Sequence, residues 1–157
     1  MKKVRVDELF DPSEHFCLLV DENESFNQVI EELARQHKWR CAVVVDADKR
    51  LKGVISRRTI LRWAQMKMGS RLAEPYTSMT DVWKLVGLAH RNTAGEIAQP
   101  TPGVKLSDDI QLALRVMMET DLIDIPVVDD SGIVLGDLTL SEILSKMIEI
   151  DRGKSKP

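Results

Sequence analysis

Two stretches of the chain repeat the same order of apolar and polar positions. Residues 43–56 run from a valine triplet through a charged turn to Gly53, two apolar residues and a hydroxyl side chain. Residues 126–139 have the same order, and Gly53 aligns with Gly136 without a gap. Two apolar runs separated by a polar turn predict a pair of strands, and the hydroxyl residue after them is typical of a helix start. The repeat predicts two copies of one small fold.

An amphipathic helix is predicted ahead of each strand pair. Apolar residues recur at i, i+3, i+4 and i+7, which places one stripe of a helix against a sheet. The stripes consist of Phe26, Val29, Ile30, Leu33 and Ala34 in the first copy and of Ile110, Ala113, Leu114, Met117 and Met118 in the second. Further upstream, Val6–Pro12 is echoed by Ala94–Pro100. With a short strand after each of these lead-ins, the fold class is α/β, with two β-α-β-β-α repeats.

The repeat pattern also sets the predicted domain boundaries. The first repeat covers residues 6–69 and the second covers residues 93–150. Residues 70–92 belong to neither repeat and form a linker with a short helix over Val82–Ala89. Residues 151–157 are polar and form a flexible tail.

Composition narrows the classes of protein that the chain can represent. With 157 residues and 43% hydrophobic content, it can bury one good core or two small fused cores. A net charge of -3 argues against broad nucleic-acid binding, although a local contact through the basic Lys49–Arg62 face stays a weak option. No apolar run reaches bilayer length, and the N-terminus turns acidic too early for a signal peptide. We therefore expect a cytoplasmic protein with no membrane contact.

The residue types that carry chemistry are sparse. Cys17 and Cys41 fall in predicted strands without the spacing of metal ligands, so we expect two reduced, buried thiols and no metal site. The three histidines are scattered over different elements, with no cysteine or carboxylate at a telling distance. Glycine-rich phosphate loops and nucleophile or metalloprotease motifs are missing from the sequence. The prediction is a protein that is not an enzyme.

The repeated unit resembles the CBS domain, a family named for cystathionine beta-synthase. The second copy carries the closer match, Ile125-Pro126-Val127-Val128-Asp129 followed by Gly136-Asp137-Leu138-Thr139. The first copy has Val43 where the family commonly has proline. The resemblance extends from about Val6 to Met147 and is to a tandem CBS pair, or Bateman module. It implies two repeats packed sheet to sheet about a pseudo-twofold axis.

The resemblance further implies adenosine-containing ligands, namely AMP, ADP, ATP or S-adenosylmethionine, in two clefts between the repeats. Carried onto the second copy, the adenine wall consists of Ile123, Asp124, Ile125 and Pro126, completed by Thr101 and Pro102. Thr139 becomes the hydroxyl contact, and Glu142 takes the ribose position that is commonly aspartate. A helix cap and a solvated first-turn glutamate are the competing interpretations of Thr139 and Glu142.

The first copy departs further from the family pattern. Ser56 keeps the hydroxyl, but the ribose position is the uncharged Thr59, which binds a diol more weakly than a carboxylate does. Arg58 is suited to phosphate oxygens, and a solvated basic face is the alternative interpretation. Trp39 and Arg40 occupy the adenine wall of this copy. Stacking on a base and simple packing are both open for Trp39.

Two functions follow as hypotheses. The first is a regulatory module that binds an adenosine ligand, holds no tightly bound cofactor, and signals to an effector protein that the sequence does not identify. The alternative is a ligand-free interaction or dimerisation module with vestigial clefts. The family tends to form dimers through its helices, so a homodimer is expected in either case.

Overall fold

The computed structural model of the protein describes residues 3–67 and 93–154. The predicted linker helix and the last three residues of the tail lie outside the described residues. In the first repeat the elements are β1 (Cys17–Asp21), α1 (Phe26–Arg35), β2 (Cys41–Val45), β3 (Leu51–Ile55) and α2 (Arg57–Lys67). In the second they are α3 (Ala94–Ile97), β4 (Val104–Lys105), α4 (Ile110–Thr120), β5 (Asp124–Val128), β6 (Val134–Thr139) and α5 (Leu140–Lys154).

The two repeats have the same sheet topology. Each forms a three-stranded sheet whose first two strands are parallel and whose last two are antiparallel, in the orders β1-β2-β3 and β4-β5-β6. The helix between the parallel strands provides the crossover that such a pair requires. The predicted α/β class and the two repeated units are confirmed.

The repeated aspartate of the sequence pattern builds the hairpin turn in both copies. Asp46 Oδ1 accepts hydrogen bonds from the backbone N–H groups of residues 48 and 50, and Asp129 Oδ1 accepts from residues 131 and 133. Lys49 and Gly132, which are equivalent positions, both adopt positive φ angles of 65° and 83°. Aspartate side chains close turns in this way, so the polar part of the repeat is structural.

The two hairpin turns also pair with each other. Leu51 N–H donates to Gly132 O at 3.0 Å, and Val134 N–H donates to Lys49 O at the same distance. Because these donors and acceptors occupy equivalent positions in the repeats, the contact is reciprocal. It lies on a pseudo-twofold axis that relates the two sheets.

Each lead-in binds to the opposite repeat. A 3-10 turn at Val6–Glu8 donates from Val6 N–H to Asp108 O of the second repeat at 2.9 Å. In α3, Ala94 N–H donates to Glu24 O of the first repeat at 2.8 Å. The boundaries predicted at residues 6 and 93 therefore separate segments that are interleaved in space.

The larger of the two hydrophobic cores lies between the repeats. In β2, Val43 and Val45 face a core that includes Ile125, Val127 and Leu138 of the second sheet. The alternate residues of β2, Ala42 and Val44, face α1 and α3 in a smaller core of the first repeat. Because β2 is buried on both faces, its sequence is a continuous apolar run and does not alternate between apolar and polar residues.

Candidate functional site: two clefts between the repeats

A cleft opens beside the N-terminus of each repeat's last helix. The α5 cleft, of about 380 Å³, is lined on its helix side by Thr139, Ser141, Glu142, Ser145, Lys146 and Glu149, and on the other side by Glu8, Leu9, Glu14, Phe16 and Arg40. The α2 cleft, of about 300 Å³, is lined by Ser56, Arg57, Arg58 and Leu61 and, across from them, by Arg40, Cys41 and residues 121–124.

Residues of both repeats combine in each cleft. The structure brings Ile123 and Asp124 of the second repeat to Ser56 and Arg58 of the first, in the α2 cleft. The expectation that Ile123 and Asp124 share a cleft wall with Glu142 is wrong, because the residues before one repeat's central strand face the helix of the other. Arg40 lies between the two clefts and lines both of them.

Four of the six adenine-wall residues predicted for the second copy lie outside the two cleft walls. Ile125 and Pro126 are buried within β5, and Ile125 is fully enclosed by the core between the sheets. Thr101 is also buried, and its hydroxyl donates to Gln99 O at 3.1 Å. Pro102 is exposed. These four residues belong to the strand β5 or to the lead-in, and they do not form the surface of either cleft.

Thr139 in the α5 cleft and Ser56 in the α2 cleft are helix caps. Thr139 Oγ1 accepts from Glu142 N–H at 3.2 Å, and Glu142 Oε2 accepts from Thr139 N–H at 2.7 Å, which together form a capping box. Ser56 Oγ likewise accepts from Thr59 N–H at 3.2 Å and lies 3.2 Å from Thr59 Oγ1. The structure therefore contains the helix cap that was the competing interpretation of Thr139, and any ligand would have to bind beside a cap that is already formed.

The two clefts differ in charge. In the α5 cleft, the carboxylates of Glu8, Glu14, Glu142 and Glu149 outnumber the cations Arg40 and Lys146. In the α2 cleft, three guanidinium groups (Arg40, Arg57 and Arg58) face the carboxylates of Asp121 and Asp124. A phosphate would meet a repulsive field in the first and an attractive one in the second.

An ion pair between Arg40 and Asp124 joins the two repeats in the wall of the α2 cleft. Arg40 Nη1 lies 3.4 Å from Asp124 Oδ1, and the Asp124 side chain is only 4% exposed. Burial raises the pKa of Asp124, while the Arg40 and Arg57 charges oppose that shift. The guanidinium of Arg40 also lies 4.6 Å from the centre of the Phe16 ring, a favourable cation–π distance. Arg40 is therefore held by contacts on both repeats.

The outer ion pair of the α2 cleft is weaker. Arg58 Nη1 lies 3.1 Å from Asp121 Oδ2, and both side chains are more than half exposed. Solvent-exposed pairs of this kind contribute at most about 1 kcal/mol. The Arg58 side chain can therefore turn toward a bound anion at little cost.

Trp39 faces a third cavity instead of a cleft. This cavity of about 180 Å³ lies between the two sheets and includes Cys17, Val43, Leu135 and Asp137 in its lining. The indole Nε1 of Trp39 is buried and has no hydrogen-bond partner among the described residues. Packing, the second of the two interpretations of Trp39, is the one that the structure supports.

A second buried carboxyl group, that of Asp137, binds the backbone just before β1. It accepts hydrogen bonds from Phe16 N–H at 3.1 and 3.2 Å, and His15 Nδ1 lies 3.7 Å from it. Burial raises the pKa of Asp137 above its usual range. No sequence pattern marked this residue, because its equivalent in the first repeat is Val54.

These raised pKa values predict a pH dependence of folding. Between the unfolded value of 3.8 and the raised folded value, the folded protein binds more protons at Asp124 and Asp137 than the unfolded chain does. Their contribution to stability is therefore greatest at low pH and is lost as the pH rises through that interval. We expect Asp137→Asn to remove part of this pH-dependent decrease in the free energy of unfolding.

Urea unfolding of wild type and Asp137→Asn at pH 4, 5.5 and 7 measures the effect. The difference in unfolding free energy between the two proteins is informative because the other carboxyls, such as Asp11 with its lowered pKa, are common to both. A difference that does not change with pH would contradict the prediction.

The two cysteines form a disulfide between β1 and β2. Cys17 and Cys41 are register partners on neighbouring parallel strands, with their Cα atoms 4.7 Å apart. The prediction of two reduced thiols is wrong. The sequence did place both cysteines in strands, and neighbouring strands bring Cα atoms to about the separation that disulfides need.

No helix in residues 3–67 or 93–154 has the length and apolarity needed to cross a bilayer. Within the same ranges, no group of three or more His, Cys, Asp and Glu side chains is arranged to hold a metal ion.

The fold and clefts define a class of protein, a tandem α/β repeat module with two inter-repeat clefts. The CBS domain family matches residues 15–65 and 94–149, more than half of the chain. The chain belongs to the CBS domain family, and the resemblance of the sequence to a tandem CBS pair is confirmed. A search among curated protein sequences found no match.

Solved structures of CBS pairs share the fold. CBSX2 from Arabidopsis thaliana is 24% identical, covers 96% of this chain and 99% of its own, and superposes with a TM-score of 0.67. A CBS domain-containing protein from Thermotoga maritima is 19% identical over 95% and 97% of the two chains, with a TM-score of 0.70. A CBS domain protein from Pyrobaculum aerophilum, solved with AMP, is 23% identical over 88% and 89%, with a TM-score of 0.61. CBSX2 has also been solved with AMP.

Proposed function

We propose that this chain is a regulatory module that binds an adenosine nucleotide in the α2 cleft and passes the signal to an effector protein. The observation that carries the proposal is the basic wall of this cleft, in which Arg40, Arg57 and Arg58 surround a helix N-terminus. Free N–H groups and the helix dipole favour an anion at such an end. The CBS pairs solved with AMP support a nucleotide as the ligand.

The rest of the α2 cleft suits the other parts of a nucleotide. Ile123 and Leu61 are 43% and 59% exposed and give an apolar surface for adenine. Thr59 does not line this cleft, and its hydroxyl lies 3.2 Å from Ser56 Oγ in the cap, so it contributes to the ribose side only through Ser56. A phosphate-bearing ligand such as AMP fits this charge pattern better than S-adenosylmethionine, whose sulfonium is a cation. As proposed, the module binds its ligand and catalyses no reaction. Its cytoplasmic location stays a prediction.

The test is calorimetric titration of the protein with AMP. We expect Arg58→Ala to weaken AMP binding by about tenfold, because charge-assisted hydrogen bonds to phosphate contribute roughly 1.5–3 kcal/mol. Arg62→Ala is the matched control, since Arg62 is an exposed arginine of the same helix that does not line the cleft. Equal losses in the two variants, or no AMP binding by wild type at millimolar concentration, would contradict the proposal.

A second candidate function is assembly of the chain with itself. Helix α5 exposes Leu144, Met147 and Ile148 at 48%, 45% and 52%, whereas Ile143 on the same helix is buried. A helix face with three exposed apolar side chains favours burial against a second copy. Light scattering with and without AMP separates the functions, because a dimer of a protein that neither binds AMP nor changes its mass with AMP supports assembly alone.

A further inference from the structure

We infer that the Cys17–Cys41 disulfide is a redox-modification site that controls nucleotide affinity in the α2 cleft. The inference rests on the proposed function. It starts from the position of the disulfide, which joins the first residues of β1 and β2. Each cysteine directly follows a residue that contacts the clefts, Phe16 before Cys17 and Arg40 before Cys41.

The disulfide holds Phe16 and Arg40 together. Arg40 N–H donates to Phe16 O at 2.7 Å, and the Arg40 guanidinium lies over the Phe16 ring. From this position Arg40 reaches Asp124 across the repeat interface at 3.4 Å. When the sulfurs are no longer bonded, they must separate to van der Waals distance, so the ends of β1 and β2 repack. This movement displaces Arg40, which lines the α2 cleft.

The α2 cleft gives one route to the disulfide. Cys41 lines the α2 cleft and Cys17 lines the cavity between the sheets, and both residues are less than 10% exposed. A small dithiol that enters the α2 cleft can therefore attack Cys41 Sγ. A nucleotide in that cleft would stand in its path.

Reduction proceeds by thiol–disulfide exchange between the protein and the dithiol. A thiolate of the dithiol forms a bond to Cys41 Sγ, the Cys17–Cys41 bond breaks, and Cys17 leaves as a thiolate that takes up a proton. The second thiol of the dithiol then attacks the mixed disulfide and releases Cys41 as a thiol. The protein gains two electrons and two protons, and the dithiol becomes a cyclic disulfide.

The test compares AMP affinity of the wild-type protein before and after treatment with dithiothreitol, with protein thiols counted by a colorimetric reagent. We expect the reduced protein, with two thiols, to bind AMP roughly fivefold more weakly or worse, the lower end of typical coupling between two sites. Because coupling is reciprocal, saturating AMP should also stabilise the disulfide against the reductant. The double variant Cys17→Ser/Cys41→Ser should show the weaker affinity with or without dithiothreitol.

The outcomes separate the inference from the proposed function. Equal AMP affinity in the oxidised and reduced proteins, with two thiols counted, overturns the inference and leaves the proposed function intact. AMP binding in neither state overturns the proposed function itself and the inference that rests on it. If the double variant does not fold, the two states of the wild-type protein still provide the comparison.

Discussion

Replacement of Ile125 by alanine is expected to lower the free energy of unfolding by about 2–5 kcal/mol. Ile125 is fully buried between the two sheets, in the core that also contains Val43 of the first repeat. Truncation removes transfer free energy and leaves a cavity that the neighbouring strands can close only in part. Urea denaturation followed by far-ultraviolet circular dichroism measures the loss.

Ile123→Ala is the matched variant, two residues earlier in the chain. Its side chain is 43% exposed in the α2 cleft, so we expect a change of at most about 0.5 kcal/mol in stability. AMP affinity should instead fall by about tenfold, because an apolar contact of this size contributes roughly 1.5 kcal/mol when it is covered. A stable Ile125→Ala protein with weakened AMP binding would show that Ile125 belongs to the ligand wall after all.

The contrast between Ile123 and Ile125 shows which structural features the sequence pattern can predict. The apolar run before Asp129 predicted a buried strand correctly, because strand burial is a local property of hydrophobic spacing. The same pattern predicted the hairpin turns and the hydroxyl caps, which are made by side chains within four residues of their partners. Local interactions of this kind are recorded directly in the order of residues.

Each cleft is lined by residues that are far apart in the sequence, and the sequence pattern did not predict which of them meet. The lead-ins cross to the opposite repeat through bonds such as Val6 N–H to Asp108 O, which no spacing in either repeat encodes. The same crossing brings Ile123 to Ser56 and leaves Arg40 between the clefts. A repeat reveals its own elements, whereas the pairing of two repeats depends on the shape of surfaces that form only after folding.

The cysteine pair was missed for a different reason. The prediction of reduced thiols came from the expected cytoplasmic location and from the lack of metal-ligand spacing between the cysteines, and neither argument bears on the distance between two strands. Parallel pairing of β1 with β2 makes Cys17 and Cys41 neighbours across 24 residues of sequence. The disulfide removes the cysteine-based argument for a reducing compartment.

Loss of this disulfide is expected to lower the free energy of unfolding by about 3 kcal/mol, since it closes a loop of 24 residues in the unfolded chain. For a chain of this size the melting temperature should fall by roughly 10 °C. Differential scanning calorimetry with and without dithiothreitol measures the change. The loop holds all of α1, so the cross-link restricts a whole β-α-β crossover.

The Cys17→Ser/Cys41→Ser variant separates the cross-link from the reagent. Its melting temperature should lie near that of the reduced wild type and should not respond to dithiothreitol. Both residues are buried against the core between the sheets, so serine adds a small cost of polar burial that a Cys17→Ala/Cys41→Ala variant avoids. If reduction produced two free thiols without lowering the melting temperature, the sheet and the α1 packing alone would hold β1 against β2. The cross-link would then contribute nothing to the fold, whatever its effect on the α2 cleft.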